Sequence, residues 1–217
     1  MNVGYSVCMA IEIIKTEQII DAAMNFIEKE GVAALTMRAL GRELGVDPSV
    51  VYRHFANKSD LLAALGSALL NEIDLALAMA ASTPRERLRI AVCEVRRVIQ
   101  AKPATGLILA NSGNNPPGTQ VAIVNWSVEQ LREIGLTGVN LVMGYQILEG
   151  FVLGMTSYDI SSQPNPLEVR RQWFRHAEIP EFDDVSRSID EVASINEKTF
   201  EFGLSAILDK LELLAQK

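Results

Sequence analysis

The stretch LGVDPSVVYRHFANKSDLL, residues 44–62, determines how the first part of the chain folds. Gly45 suits the left-handed cap that ends a short helix, since glycine adopts a positive φ without steric cost. Asp47 followed by Pro48 is a strong helix start, because the aspartate accepts a backbone hydrogen bond and proline fits the first helical position. The sequence therefore predicts two short helices joined by a tight turn, with the second ending near Phe55.

The second of these helices carries more polar and bulky side chains outward than packing alone requires. A helix of about two turns buries only one narrow face, yet Tyr52, Arg53 and His54 are consecutive. The residues expected to fill the angle between the two helices are Ala39, Leu40, Leu44, Val46 and Val51. Those expected to stay outside are Ser49, Val50, Arg53 and His54. Such a unit can place its second helix in a DNA major groove, although helical proteins also use it as a plain packing motif.

The rest of the chain has helical periodicity and no alternating strand pattern. A first helix follows the apolar spacing that begins at Ile19 and stops at Gly31. Further helices are predicted over about 57–80, 83–101, 119–134, 138–159 and 188–215. The run NSGNNPPG, residues 111–118, is the strongest break, and residues 161–184 are predicted to be loop with a short helix around Trp173. The predicted fold class is all-α, with three small helices followed, from about residues 60–65, by a larger bundle.

Composition favours a soluble protein of the cytoplasm. Hydrophobic residues make up 48% of the 217, which is enough for a packed core, and charged residues interrupt the long apolar helices. The first ten residues lack a basic segment and an apolar core, so we expect a flexible arm rather than a signal peptide. Cys8 and Cys93 are far apart and lack metal-ligand spacing, as expected in a reducing compartment.

The distribution of charge matters more than the net charge of −7. Residues 36–58 contain Arg38, Arg42, Arg53 and Lys58 against two acidic residues, so this segment is locally positive. A small basic region on an acidic body is compatible with a DNA-binding protein that makes a few phosphate contacts.

Two other classes of protein are weighed against DNA binding. An enzyme is disfavoured, because the sequence has no G-x-S-x-G, no Walker loop, no H-E-x-x-H and no Cys/His cluster. We therefore predict no catalytic residues, no metal site and no cofactor. A helical adaptor that binds only protein is the other alternative, and it gives the basic residues of the short helix no role.

Residues 16–62 resemble the DNA-binding domain of the TetR (tetracycline-repressor) family of bacterial regulators. The matching residues are AALTMRALGRELGV and VVYRHFANKSDLL, of which Tyr-x-His-Phe, Asn-Lys and Leu-Leu are the most characteristic. The resemblance implies backbone or edge contacts to DNA by Thr36 and Arg38. It places Pro48, Ser49, Val50, Arg53 and His54 on the recognition helix, and implies phosphate contacts by Tyr52 and Lys58.

The stretches LREIGLTGVNLVMGYQILEGFVLG and FEFGLSAILDKLE are similar to the ligand-binding and dimerisation domain of the tetracycline-repressor branch. The resemblance implies a homodimer through a four-helix bundle formed by about 138–159 and 188–215. The sequence departs from that branch at the metal site, where Asn111 replaces a histidine and Tyr158 falls near an expected glutamate. A metal-free apolar site is therefore expected, with candidates Asn111, Trp126, Met143, Gln146, Ile147, Tyr158 and Trp173. Gln146 and Glu149 stand out, because polar residues inside an apolar helix need partners.

The resemblance implies a function and a domain division. The expected protein is a repressor that binds a palindromic double-stranded operator as a dimer, is released by a small-molecule effector, and does not enter a membrane. Its expected parts are an N-terminal arm (1–14), a helix-turn-helix domain (15–62), and a ligand-binding and dimerisation domain (63–217).

Overall fold

The computed structural model describes residues 14–111, 118–157 and 166–216, and these residues form α-helices without any β-strand. The predicted N-terminal arm lies almost wholly outside the described residues. The helices are α1 Thr16–Glu30, α2 Met37–Glu43, α3 Pro48–His54, α4 Lys58–Leu70, α5 Ala76–Ala80, α6 Pro84–Ala101, α7 Pro103–Asn111, α8 Gly118–Ile134, α9 Gly138–Ser157, α10 Pro166–His176, α11 Pro180–Val185 and α12 Ile189–Ala215.

Side-chain caps fix the starts of the three helices that follow α1. Thr36 Oγ1 accepts a hydrogen bond from the Ala39 amide at 3.0 Å, and Asp47 Oδ1 accepts one from the Ser49 amide at 2.9 Å. Asn57 does the same at the start of α4. Each cap satisfies a backbone donor that the helix itself leaves without a partner. The helix-turn-helix predicted from residues 44–62 is therefore present, with its starts and ends set by local sequence.

One hydrophobic core holds α1 to α4 together and extends beyond them. It includes Leu40 and Val51, the inner faces of α2 and α3, but also Leu69 of α4 and Val98 and Ile108 of α6 and α7. Packing is thus continuous across residue 62, the predicted end of the DNA-binding domain. The division of the chain at that residue remains a prediction.

A second core lies between α6, α8, α9 and α12. The buried side chains at its centre include Leu88, Leu131, Leu148, Phe200 and Leu204. Arg96 is buried beside this core, where its guanidinium lies 4.1 Å from the Phe200 ring centre and pairs with Glu197 at 2.7 Å. Pairing of this kind is what allows an arginine to be buried.

Three of the sequence-based helix assignments were wrong. The fourth helix, predicted to reach residue 80, ends at Leu70, and α5 begins separately, with Asp74 Oδ1 accepting from the Ala76 amide at 2.8 Å. The helices α7 and α11 were not predicted, whereas the short helix predicted around Trp173 is present as α10. The helices α7, α10 and α11 each have proline at the first position, where it starts a helix instead of breaking one.

Candidate DNA interface and ligand cavity

The helix α3 presents a polar surface to solvent. Val51 is fully buried and anchors the helix, whereas Ser49, Arg53 and Tyr52 (51% exposed) point outward. Val50 and Pro48 are half-buried at the start of the helix. The carboxyl group of Asp47 accepts hydrogen bonds from the side chain and backbone of Ser49, which lower its pKa and keep it charged. The exposed face is short, hydrophilic and fixed at both ends, as a helix that enters a groove must be.

The arginines of this unit have no acidic partner, unlike most arginines elsewhere in the described residues. Arg38, Arg42 and Arg53 are exposed, and none has a carboxylate within salt-bridge distance among the described residues. The arginines that do pair with a carboxylate are Arg85, Arg87, Arg89, Arg96, Arg97, Arg132, Arg171 and Arg187. Three arginines available to an external anion therefore lie together at the helix-turn-helix, although Arg175 of α10 is also exposed without an ion pair among the described residues. Thr36 lies at the same end, exposed at the start of α2.

Two of the predicted DNA-binding residues also hold the unit together. His54 is half-buried, and its Nδ1 lies 3.0 Å from Thr16 Oγ1 at the start of α1. Lys58 Nζ donates a hydrogen bond to the Val32 carbonyl at 3.0 Å, which ties α4 to the loop after α1. These bonds span 38 and 26 residues of sequence, so no local pattern could have indicated them. The His54 side chain is consequently less exposed than the sequence analysis predicted.

A half-open cavity of about 120 Å³ lies between α4, α6, α8 and α9. Its walls are mainly leucine and valine side chains, such as Leu88 and Val92 of α6 and Leu148 and Val152 of α9. Trp126, Ser127, Tyr145 and Glu149 supply the polar atoms among its described lining residues. An apolar cleft with a few polar groups is typical of small-molecule sites.

Of the predicted ligand residues whose side chains the structure describes, one lies in this cavity. Trp126 lines it, whereas Met143, Gln146 and Ile147 are exposed on another face of α9. Trp173 lies on α10, where it packs edge-on against Phe174 and is largely exposed. Asn111 ends α7, but its side chain lies outside the described residues, as does Tyr158. The cavity residues of α9 are 145, 148, 149, 152 and 153, so the helical phase explains the difference.

Sequence reasoning singled out Glu149 but missed its partner, Tyr145. The Tyr145 hydroxyl donates to Glu149 Oε1 at 2.7 Å. Burial, and then the hydrogen bond to Glu149, raise the pKa of Tyr145 well above its usual range, so the phenol stays protonated. The available signal was the spacing of four residues, which puts the two side chains on one helix face.

A second apolar surface lies outside the cavity, along α9 and α12. On α9 the exposed residues are Val139, Val142, Met143 and Ile147, and on α12 they include Phe202 and Leu213. Residues Gly138–Thr156 have a mean hydropathy of 1.2, enough in length and composition for a membrane span, but only 17% of that window is buried within this chain. Patches of this kind mark surfaces that contact another molecule.

The cavity wall is connected to the helix-turn-helix through Glu28 of α1. Its carboxylate accepts hydrogen bonds from the amides of Ala104 and Thr105 at 3.2 and 2.8 Å, and from the Thr105 hydroxyl at 2.7 Å. Glu28 therefore caps the N-terminus of α7, a position favourable for negative charge. Since Leu109 of α7 lines the cavity, one helix touches both the cavity and α1.

We expect Glu28→Gln to loosen this junction. A glutamine has one acceptor oxygen and no charge, so the cap should weaken and cost about 1 kcal/mol of unfolding free energy, or roughly 2–4 °C in Tm. Hydrogen exchange at the first amides of α7 should speed up. Glu30→Gln, an exposed change on the same helix, is the control. Equal melting and exchange in the two variants would show that the cap contributes nothing.

A helix-turn-helix with available arginines, joined to a helical bundle with an apolar cavity, is the architecture expected of a ligand-responsive DNA-binding regulator. Residues 19–65 match the family model for bacterial regulatory proteins of the tetR family. These residues are a DNA-binding domain of the TetR family, and the fold of the whole chain is that of a possible TetR family regulator from Streptomyces coelicolor, with a TM-score of 0.75 and 21% identity. The predicted family and the all-α fold are confirmed.

Individual relatives agree with this assignment. The chain is 26% identical over 214 residues to the HTH-type transcriptional repressor DrrR1 of Streptomyces coeruleorubidus, covering 91% of this chain and 77% of that one. It is 34% identical over 100 residues to the HTH-type transcriptional regulator BetI of Rhizobium meliloti, covering 45% of this chain and about half (49%) of that relative's length. ActR of Streptomyces coelicolor, solved in complex with actinorhodin, has the same fold, with a TM-score of 0.73, 21% identity, and coverage of 94% of this chain and 99% of ActR.

Proposed function

We propose that this chain is a repressor that binds a palindromic operator as a homodimer and leaves it when a small molecule enters the cavity. The observation that carries the proposal is the outward face of α3, on which Arg53 has no carboxylate partner among the described residues. DrrR1 is named as a repressor and ActR binds a small molecule, and both facts support the same function here. The protein would work in the cytoplasm, on DNA, without catalysis or a cofactor.

The roles of the DNA-facing residues follow from their positions. Ser49, Val50 and Arg53 would reach base edges from α3, with Pro48 starting the helix in the groove. Thr36, Arg38 and Tyr52 would contact phosphates beside it. His54 and Lys58 would act at the rim of the interface, since each already holds a neighbouring segment of the unit.

The proposed dimer forms through α9 and α12, whose exposed apolar side chains lie outside the cavity. A two-fold dimer presents two α3 helices, and these must lie about 34 Å apart to enter successive major grooves. A ligand changes DNA affinity only if it binds the dimer with this spacing and the dimer with another spacing with different affinity. A tenfold preference for one of the two corresponds to about 1.4 kcal/mol. The junction of α7 with Glu28 is a route by which the cavity would influence α1 and, through Thr16, His54 on α3.

A salt series on Arg53→Gln tests DNA binding by this face. Duplexes selected by the wild-type protein from a random pool serve as operator, and affinity is measured by fluorescence anisotropy at several salt concentrations. Loss of the guanidinium should weaken binding by about tenfold, from 1–3 kcal/mol of base contact, and alter which selected sequences bind best. If Arg53 instead holds a phosphate, the slope of log affinity on log salt falls by about one.

The matched control is Arg187→Gln, which removes an exposed arginine paired with Asp184 far along the chain. Its affinity and salt slope should equal those of the wild-type protein. Selection of no duplex by the wild-type protein, or an Arg53→Gln variant indistinguishable from it, would contradict the proposed function.

A further inference from the structure

We propose that the cavity binds an apolar organic cation, with its positive group beside Glu149 and its apolar part against the leucine and valine walls. The inference deepens the proposed function, since it takes this cavity as the effector site. Its basis is the position of one carboxylate in an otherwise apolar, partly aromatic space.

Glu149 and Tyr145 together carry one negative charge into the cavity. Tyr145 is half-buried and remains a neutral donor, and its hydroxyl engages only one carboxylate oxygen, Oε1. Among the described residues no other contact of Glu149 is found, so Oε2 has no protein partner there. Glu149 is half-buried in the half-open cavity, so Oε2 is available to accept a hydrogen bond or an ion pair from a ligand that enters.

No basic side chain among the described lining residues offsets this charge. The helix α6 contributes Leu88 and Val92 to the wall, but its nearby arginines point elsewhere. Arg85 pairs with Asp209, Arg87 with Glu133 and Arg89 with Glu86. The local field in the cavity is therefore set by Glu149, and the walls lower the effective dielectric and strengthen its attraction for a cation.

The aromatic groups favour the same class of ligand. Trp126 and Tyr145 both line the cavity, and the faces of such rings attract cations at distances within about 6 Å. A neutral apolar molecule would contact only the apolar walls and would leave Glu149 without a counter-charge. An anion would be repelled by the Glu149 carboxylate. The cavity thus selects for positive charge combined with apolar surface.

Tetraphenylphosphonium and tetraphenylborate test the inference, because they have nearly the same size and shape and opposite charge. The chain has two tryptophans, and Trp173 lies outside the cavity, so Trp173→Phe leaves Trp126 as the reporter. Tetraphenylphosphonium should quench its fluorescence saturably and bind at least tenfold more tightly than tetraphenylborate. Isothermal titration with the wild-type protein repeats the measurement without any substitution.

Glu149→Gln keeps the size of the side chain and an acceptor for Tyr145 but removes the charge. It should weaken tetraphenylphosphonium binding by about tenfold or more and leave or improve that of tetraphenylborate. Glu129→Gln removes an exposed carboxylate of α8, paired with Arg132, and should change neither. The inference would be overturned if the two ions bound with equal affinity, or if neither measurement detected binding of tetraphenylphosphonium. It would also be overturned if Glu149→Gln bound tetraphenylphosphonium as tightly as the wild-type protein does.

The duplex titration described above separates the two proposals. If the wild-type protein binds selected DNA but shows no Glu149-dependent preference for the cation, the ligand class is wrong and the repressor stands. If Glu149-dependent cation binding is found without DNA binding, the ligand class stands and the repressor function fails.

Discussion

Phe202→Glu should convert the dimer to monomers and weaken operator binding by roughly 10²–10⁴-fold. The side chain is 77% exposed on α12 within a single chain, so a folded monomer tolerates the change. In the proposed four-helix interface, however, the carboxylate would be removed from water opposite apolar groups without a partner. A monomer contacts one half-site only and loses the gain that comes from linking two binding events. Sedimentation velocity gives the mass, and anisotropy with the selected duplex gives the affinity.

Two further variants make this result specific. Ile147→Glu on α9, where the side chain is 46% exposed, should act in the same way as Phe202→Glu. Leu77→Glu changes an even more exposed apolar residue (73%) on α5, outside the proposed interface, and should leave the mass and affinity unchanged. A Phe202→Glu protein that remains dimeric with wild-type affinity would rule out the proposed surface.

Gly41→Val should disrupt the helix-turn-helix and abolish detectable operator binding. A Cβ at Gly41 would lie 3.2 Å from Pro48 Cα and from the Val46 carbonyl oxygen, which are backbone atoms that cannot rotate away. Valine adds two methyl groups to this contact, so α2 and α3 must separate. Overpacking of this kind costs about 1–3 kcal/mol, and the shift of α3 removes its contacts in the groove. Thermal unfolding and the duplex titration measure the two effects.

Glu43→Val is the matched control, because it introduces the same residue on the same helix at an exposed position. It should retain most of the operator affinity and melt near the wild-type temperature. Gly41→Ala should lie between the wild-type protein and Gly41→Val. A Gly41→Val variant that binds the operator as tightly as Glu43→Val would refute the close-approach argument.

The helix-turn-helix was predictable because its signals are local. Asp47, Pro48 and Asn57 define helix starts within a few residues of where they act, and Gly45 has the positive φ of 67° that its cap position suggested. Contacts between distant segments of the chain have no local sequence signal of this kind. The bond between Thr16 and His54 depends on how α1 packs beside α3, which no short window of sequence contains.

The ligand residues were harder to assign because α9 is apolar on nearly all sides. Leu148 faces the cavity and Ile147 faces solvent, yet both have the same chemical character. Periodicity separates apolar faces from polar ones, and it cannot distinguish a core, a cavity and an interface that are all apolar. Glu149 was the useful exception, since a carboxylate within an apolar helix needs a polar partner.

The grouping of three available arginines at the helix-turn-helix gives the molecule an electrostatic polarity. A chain of net charge −7 is repelled by DNA in most orientations, whereas the end that carries Arg38, Arg42 and Arg53 is attracted. At physiological salt this preference acts only within about 8 Å of the duplex, so it orients the molecule during the last step of approach. Encounters in which another face of the protein meets genomic DNA would then be short-lived, and they would slow the search for an operator only slightly.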